Sequence, residues 1–167
     1  MTLILGPSAL APLAGVTTVD VVSARDLLRE TRNAGLLPII TQRVRAGEAA
    51  YLGWSAGSNL ACPTIRTTND MPIVDPGGLD ALSLVPFQIN AHFTDAHPPG
   101  HRGETRRQRL AEFCTLNPTV PVLCLPEGSG LRIEGRRHAL TGPHDALWMH
   151  GTTTPNNLPP GNLDLPV

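Results

Sequence analysis

The sequence contains no lysine, few aromatic residues and only three cysteines, and each scarcity excludes a class of function. All 13 basic side chains are arginine, and against 14 acidic side chains they leave a net charge of −1. This balance predicts neither a nucleic-acid surface nor an acidic tail. The densest arginine run, residues 102–109, contains Glu104 rather than aromatic side chains, which is typical of a solvated helix face. We therefore expect no nucleic-acid partner.

The cysteines Cys62, Cys114 and Cys124 are odd in number and form no CxxC pair. A disulfide framework and a zinc ribbon both require paired cysteines, so neither is predicted. The pattern favours a reducing compartment, and no cofactor is implied.

The length of 167 residues suits one globular domain with its own core. We place this domain at residues 1–150, within which residues 1–22 show no clear period and receive no assignment. Residues 151–167 are rich in proline and asparagine without periodicity, so we expect a loose tail. The apolar start of the chain has no basic leader and is broken by Pro7 and Pro12, which argues against a signal peptide or a membrane span. We expect a cytoplasmic protein without a membrane partner, whereas its oligomeric state is not predicted.

Helical and strand patterns alternate through the middle of the chain. Ser23 and Asp26 have the spacing of a capping box, and Gly35 offers a stop, which predicts a helix between them. The predicted helices cover residues 24–34, 38–44, 56–61 and 104–115, and the predicted strands cover 49–54, 85–89, 120–125 and 131–133. This order favours an α/β fold with a parallel sheet.

One segment has the pattern of a nucleophile. Residues 53–57, GWSAG, fit GxSxG, in which the glycines allow a sharp turn from strand to helix that projects the serine hydroxyl. The predicted strand before it and short helix after it are the context that such a turn requires. Ser55 is therefore the candidate nucleophile, and the backbone N–H of Ala56 is the candidate oxyanion donor. The alternative is an ordinary glycine-rich turn.

A serine nucleophile needs a general base, and six histidines are available. His92 follows the predicted strand 85–89, and active sites of α/β sheets collect at strand ends, so we expect His92 to be the base. His97 and His101 have the spacing of a zinc-binding helix, but two prolines and a glycine lie between them and prevent that helix. We therefore expect no metal site.

The acid that would orient the imidazole is either Glu127 or Asp70. Glu127 follows the predicted strand 120–125, whereas Asp70 lies in the polar loop 66–70. Either carboxylate could instead be a plain surface residue. Glu127 is the favoured candidate, and both remain open.

Beyond these motifs, the run YLGWSAGSNLACPTIRTTNDMPIVDP at residues 51–76 resembles the nucleophile region of the peptidase E family almost letter for letter. The resemblance continues through PFQINAHF, GETRRQR and LPEG, and it extends from about Leu27 to His150. It implies a three-layer α/β sandwich similar to class I glutamine amidotransferases. It also implies a metal-free serine dipeptidase whose substrates are dipeptides with an N-terminal aspartate.

The resemblance also implies roles for single residues. Ser55 matches the nucleophile, His92 the base and Glu127 the acid, with Asp70 as the other residue proposed for the acid. Arg106 in GETRRQR is the candidate that reads the aspartyl side chain, because a guanidinium pairs bidentately with a carboxylate. The alternative for Arg106 is a surface arginine on a charged helix.

The chain departs from the family pattern before its first predicted helix. Family members have further βα units there and a glycine-rich loop of the GGGNT type, where this chain has DVVS at residues 20–23. That loop is expected to supply an oxyanion donor, and losing one such donor typically costs about 10²- to 10³-fold in turnover. We expect the N-terminal units to be missing or replaced. Three functions are compatible with this pattern: an active aspartyl dipeptidase, an inactive binding module, and a relaxed serine hydrolase or esterase.

Overall fold

A computed structural model describes residues 2–5, 23–97, 99–100 and 102–165. The described helices are α1 (Ala24–Asn33), α2 (Leu36–Arg45), α3 (Ala56–Leu60) and α4 (Arg106–Leu116). The described strands are β1 (Thr2–Leu5), β2 (Tyr51–Gly53), β3 (Gln88–Phe93), β4 (Val122–Pro126), β5 (Gly130–Glu134), β6 (Arg137–Thr141), β7 (Ala146–Met149), β8 (Asn156–Leu158) and β9 (Gly161–Leu163). The predicted α/β class is confirmed.

The described strands form two sheets, with the orders β2-β1-β5-β6-β9 and β3-β4-β7-β8. Only β1–β2 and β3–β4 pair in parallel, so the prediction of a parallel sheet is wrong for the other pairs. A parallel pair needs a long crossover, which the chain supplies through α1 and α2 or through α4. Short turns join the antiparallel neighbours β5–β6 and β7–β8, whereas β1–β5, β4–β7 and β6–β9 pair antiparallel across longer connections.

The helix ends follow the capping residues in the sequence. The Ser23 hydroxyl oxygen accepts the N–H of Asp26 at 3.1 Å, as the capping pattern predicted for α1. Gly35 separates α1 from α2 with φ 67°, a left-handed conformation that favours glycine. Thr105 and Gln108 form a complete capping box at the start of α4.

The strand β4 is covered by apolar side chains on both faces. Leu123 and Leu125 belong to the large core that includes residues of α1, α3 and β3. Val122 and Cys124 face the other way, into a smaller cluster with residues of α4 and β7. All four of these side chains are fully buried. The sheet that contains β3 and β4 therefore lies between two apolar layers. This packing holds the ends of its strands in place.

Both ends of the chain differ from the sequence-based expectation. Thr2–Leu5, in the segment without an assignment, forms a strand between β2 and β5. Residues 151–167 were expected to form a loose tail, and this expectation is wrong for the described part. There β8 pairs with β7 and β9 with β6, and both Leu158 and Leu165 are buried. Isolated apolar residues among prolines and asparagines show no period, and neighbouring strands supply the hydrogen bonds that order them.

Candidate active site

Ser55 occupies a sharp turn between β2 and α3. Its backbone has φ 48° and ψ −113°, a region that residues with a side chain rarely adopt. The Trp54 carbonyl accepts a hydrogen bond from the Gly57 N–H at 2.8 Å, which closes a four-residue turn with Ser55 as its first central residue. The Ser55 angles are those of the first central residue of a type II′ turn. The predicted strand, turn and helix around Ser55 are therefore present.

The turn is held by close packing around Gly53. A Cβ atom at Gly53 would lie 2.7 Å from the carbonyl carbon of Gly57 and 2.8 Å from a ring carbon of Tyr51, so no larger residue fits there. The Tyr51 hydroxyl donates to the Gly57 carbonyl at 2.7 Å. The Ser58 hydroxyl donates to the Gly53 carbonyl at 3.2 Å. These contacts impose the unusual backbone conformation of Ser55.

The polar groups of the turn are available for a ligand. Ser55 is half-buried, and its hydroxyl makes no hydrogen bond to the described residues. Ala56 is the first residue of α3, so its N–H has no acceptor within the helix. A hydroxyl and an adjacent free N–H are the groups that attack a carbonyl and stabilise the resulting oxyanion.

His92 lies in β3, near its end, and not beyond the strand as predicted. Its φ is 55°, and the register against β4 shifts between Ala91 and Phe93, which marks a bulge. A bulge re-aims the side chain that it carries. The imidazole Nδ1 is hydrogen-bonded to Oε1 of Glu127, the first residue after β4. When Nδ1 donates to this carboxylate, Nε2 is left as an acceptor for a proton.

Asp70, the other candidate for the acid, has different partners. Its Oδ2 accepts the N–H of Ala24 at 2.6 Å and the hydroxyl of Thr68 at 2.8 Å. A carboxylate at this position complements the positive end of the α1 dipole. The structure thus brings His92 together with Glu127 and shows no hydrogen bond between His92 and Asp70.

The free edge of β3 is paired with side chains instead of a strand. The carbonyl of Ile89 accepts hydrogen bonds from Asn59 Nδ2 at 2.7 Å and Thr67 Oγ1 at 2.9 Å. The carbonyl of Ala91 accepts Asn69 Nδ2 at 2.8 Å. Reasoning from the residues missed these amides and hydroxyls, because no local pattern marks side chains that bond a distant strand. They hold the backbone that leads into His92.

Two depressions lie beside Thr94, two residues after His92 in the chain. A cavity of about 570 Å³ lies between loop 66–70 and the start of α4, and Asp70 and Arg106 are among its lining residues. A more open groove of about 640 Å³ is lined by His92 and Glu127 together with His144 and Asp145. Thr94 lines both, so the two spaces adjoin, whereas Ser55 lines neither of them.

Arg106, the first residue of α4, connects the cavity to His92. Its guanidinium donates from one terminal nitrogen to the backbone carbonyl of His92. Partial burial, together with the neighbouring Arg109, lowers the pKa of Arg106. The next residue, Arg107, is paired bidentately with Asp95, whereas Arg106 forms no ion pair with the described residues. A half-buried cation without a counterion favours the binding of an anion.

The described residues hold neither a metal-binding cluster nor a membrane-spanning helix. No three His, Cys, Asp or Glu side chains there are arranged to hold a metal ion. His97 lies in a loop, as expected, and His101 is outside the described residues. None of the helices in the described part of the chain is long and apolar enough to cross a membrane. The position of the expected glycine-rich loop, residues 20–22, also lies outside the described residues.

Together the fold and the site define an α/β protein with a strained serine turn after β2 and a hydrogen-bonded histidine and carboxylate at the ends of β3 and β4. The model of peptidase family S51 matches residues 23–141, more than half of the chain, and this range contains Ser55, His92 and Glu127. The chain belongs to peptidase family S51.

Two curated relatives agree with this assignment, and one solved structure agrees with the fold. Peptidase E of Salmonella newport strain SL254 is 51% identical over 138 residues, which cover 80% of this chain and 60% of the relative. Peptidase E of Salmonella arizonae is 51% identical over 139 residues with the same coverage. The crystal structure of a Listeria monocytogenes EGD-e protein assigned to peptidase E superposes with a TM-score of 0.51 at 19% identity, covering 72% of this chain and 56% of that one. The chain thus spans about 60% of the length of the curated relatives it matches.

Proposed function

We propose that the chain is a serine dipeptidase that hydrolyses dipeptides with an N-terminal aspartate. The observation that carries this proposal is the hydrogen bond between His92 and Glu127 in a family S51 chain whose Ser55 occupies a strained turn after β2. The three side chains follow the consecutive strands β2, β3 and β4 or lie near their ends. Strand ends are where α/β proteins place their active sites.

In the proposed reaction, the Ser55 hydroxyl attacks the peptide carbonyl carbon, and His92 Nε2 takes the hydroxyl proton. Glu127 holds the imidazole through Nδ1 and stabilises the imidazolium. The Ala56 N–H donates to the oxyanion. His92 then gives the proton to the leaving amine as the C–N bond breaks. Water, deprotonated by His92, hydrolyses the aspartyl ester and releases aspartate with the Ser55 hydroxyl restored.

The preference for aspartate would come from Arg106. Its guanidinium is half-buried, faces the 570 Å³ cavity and has no carboxylate partner among the described residues. A substrate carboxylate could pair with the donors that the His92 carbonyl leaves free. Because Arg106 also contacts His92, binding of the aspartyl side chain would lie next to the general base.

A binding module without turnover is the second candidate, and two observations favour it. Ser55 lines neither of the two depressions, and its hydroxyl makes no hydrogen bond to His92. Such a protein would bind aspartyl peptides in the cavity beside Arg106 but would not cleave them.

The test is the release of free leucine from Asp-Leu and from Ala-Leu by the purified chain. An active aspartyl dipeptidase cleaves Asp-Leu, prefers it to Ala-Leu and loses activity in the Ser55→Ala variant. In Arg106→Gln the preference for Asp-Leu should fall by roughly 10- to 100-fold, the value of a charge-assisted hydrogen bond. The matched control, Arg107→Gln, removes a guanidinium that is already paired with Asp95 and should keep the preference.

Each negative result has a definite meaning. A folded chain that binds Asp-Leu without cleaving it supports the binding module and contradicts the dipeptidase. Cleavage of activated esters with no preference for aspartate identifies a relaxed hydrolase. An unchanged preference in Arg106→Gln removes Arg106 from substrate recognition.

A further inference from the structure

The helix that begins after Ser55 is too short to hold its own position. α3 covers only five residues, Ala56–Leu60, and a helix of this length is not stable in isolation. Contacts with the rest of the fold must therefore set where α3 lies. Because Ser55 is its N-cap residue, the same contacts set the position of the candidate nucleophile.

Asn59 connects this helix to the strand that carries His92. Its backbone N–H donates to the Ser55 carbonyl at 3.3 Å, one turn back along α3. Its side-chain Nδ2 donates to the Ile89 carbonyl in β3 at 2.7 Å. Two hydrogen bonds of one residue thus lead from the serine turn to β3, at a point three residues before His92.

The side chain of Asn59 makes this connection rigid. The residue is only 4% exposed. Its partner is a carbonyl oxygen, which only accepts, so the amide must turn its Nδ2 toward Ile89. A shift of α3 along β3 would stretch a hydrogen bond that water cannot replace, and such a loss is costly in the interior. The helix is therefore held at one level against β3.

The Ile89 carbonyl does not need Asn59 to be satisfied. Thr67 Oγ1 donates to the same oxygen at 2.9 Å. A carbonyl oxygen has two lone pairs, and either donor alone keeps it from being a buried acceptor without a partner. On the other side of the residue, the Ile89 N–H donates to Cys62 Sγ, just after α3, at 3.1 Å. What Asn59 adds is therefore the link between Ile89 and the helix that begins after Ser55.

We propose that Asn59 is a positioning residue that sets the distance and direction from the Ser55 hydroxyl to the His92 imidazole. This inference rests on the proposed function, because it concerns the step in which His92 takes the Ser55 proton. That transfer requires the two groups to come within hydrogen-bond reach, and a misplacement of about 1 Å can lower a rate by about 10²-fold. Asn59 lines neither of the two depressions, so it acts through Ser55 and His92 and not on the substrate.

The test replaces Asn59 with leucine, which keeps the branched shape of the side chain and removes the donor. We expect kcat on Asp-Leu to fall by roughly 10- to 100-fold, while KM changes by less than about 3-fold. The matched control is Gln88→Met. The buried Gln88 amide also joins β3 to the segment after α3, through Nε2 and the Thr64 hydroxyl at 2.9 Å, but neither residue is hydrogen-bonded to Ser55 in the described part of the chain. This control should keep kcat within about 3-fold.

A fluorophosphonate probe measures the same alignment without a peptide. It phosphonylates the Ser55 oxygen with release of fluoride, and His92 must take the hydroxyl proton for this attack. Asn59→Leu should slow the labelling by roughly 10- to 100-fold. In calorimetry, the Ser55→Ala protein should bind Asp-Leu equally well with and without Asn59→Leu. If Asn59 had a structural role alone, labelling and kcat per folded molecule would fall no more in Asn59→Leu than in Gln88→Met, and that result would overturn the inference.

The outcomes separate this inference from the proposed function. If the unmodified chain cleaves Asp-Leu and Asn59→Leu keeps kcat, the dipeptidase stands and the positioning role is wrong. If the unmodified chain is labelled by the probe but does not cleave Asp-Leu, the dipeptidase is wrong, and slower labelling of Asn59→Leu still supports the role of Asn59. If the unmodified chain is neither labelled nor active, both are wrong. Should Asn59→Leu fail to fold, as judged by circular dichroism, Asn59→Ala removes the amide without adding volume, and the same comparisons decide.

Discussion

Glu127 Oε1 and His92 Nδ1 are hydrogen-bonded across the ends of two parallel strands, and both side chains remain open to solvent. The His92 side chain is 38% exposed and that of Glu127 is 69% exposed. Water competes with such an exposed hydrogen bond, so by itself it stabilises the fold little. Its value would lie in orienting the imidazole, and a bound substrate that excludes water would strengthen it.

Amide substitutions at the two candidate acids, Glu127 and Asp70, distinguish their roles. Glu127→Gln removes the charge that would stabilise the imidazolium, so we expect kcat on Asp-Leu to fall by about 10²- to 10⁴-fold. Asp70→Asn should affect kcat much less and should weaken the N-terminus of α1, with an unfolding free energy lower by about 1 kcal/mol. Steady-state kinetics measure kcat, and urea unfolding measures the free energy of unfolding. A larger loss of kcat in Asp70→Asn than in Glu127→Gln would make Asp70 the acid.

The strain at Ser55 predicts a gain in stability when the side chain is removed. Ser55 has φ 48°, which glycine adopts at no steric cost. We expect Ser55→Gly to raise the free energy of unfolding by about 1 kcal/mol and to abolish turnover. Ser55→Ala is the control, since it abolishes turnover but keeps a Cβ atom at the same φ. Equal stability of the two variants in urea would show that the turn stores no strain.

The two glycines of the GxSxG motif should differ in how well they tolerate substitution by alanine. A Cβ atom at Gly53 would meet backbone atoms of Gly57 at 2.7 Å, so Gly53→Ala should lower the free energy of unfolding by about 2 kcal/mol or more. At Gly57 the nearest atom is the Tyr51 hydroxyl oxygen at 3.7 Å, and alanine suits a helix. Gly57→Ala should therefore change stability by less than about 1 kcal/mol. Chemical denaturation of the pair is the measurement, and the reverse order would contradict the packing around the turn.

The cysteines should resist thiol reagents in the folded protein. All three are fully buried, and burial raises the pKa of Cys62 to about 12 and that of Cys124 further. Because the thiolate is the reactive form, we expect iodoacetamide at pH 8 to label none of them and to leave activity unchanged. Mass spectrometry of the native and the urea-unfolded chain provides the measurement and its control. Inactivation by rapid labelling of the native chain would argue for a cysteine nucleophile.

Helices were easier to predict than strands in this chain. The start of α1 follows from Ser23 and Asp26, two residues only three positions apart. Strand β3 was expected at residues 85–89 and runs over Gln88–Phe93, because its limits depend on pairing with β4 far along the chain. Strands β6 to β9 were not predicted, since their hydrogen-bond partners supply the order that their own residues do not signal.

In the candidate site, too, some residues were predicted from the sequence and others were not. Ser55 was identified from residues 53–57 alone, because the turn needs only its own glycines and its neighbours. His92 and the two possible acids were selected from their positions beside predicted strand ends or in a polar loop, and the resemblance to peptidase E then matched them to roles. Their catalytic roles stay predictions, as does the similarity to class I glutamine amidotransferases. Asn59, Thr67 and Asn69 were not among the candidates, because their hydrogen bonds to the distant strand β3 form only in the folded chain.

The sequence by itself determined the local features: the α/β class, the helix caps and the serine turn, each of which depends on residues within a few positions of one another. Tertiary structure decided everything that joins distant segments. It set the mixed direction of the sheets, placed Glu127 rather than Asp70 against His92, and ordered the proline-rich end of the chain. The physical reason is the sequence separation of the interacting residues. Capping and turn preferences act within one segment, whereas strand pairing and a shared cavity require segments that meet only after folding.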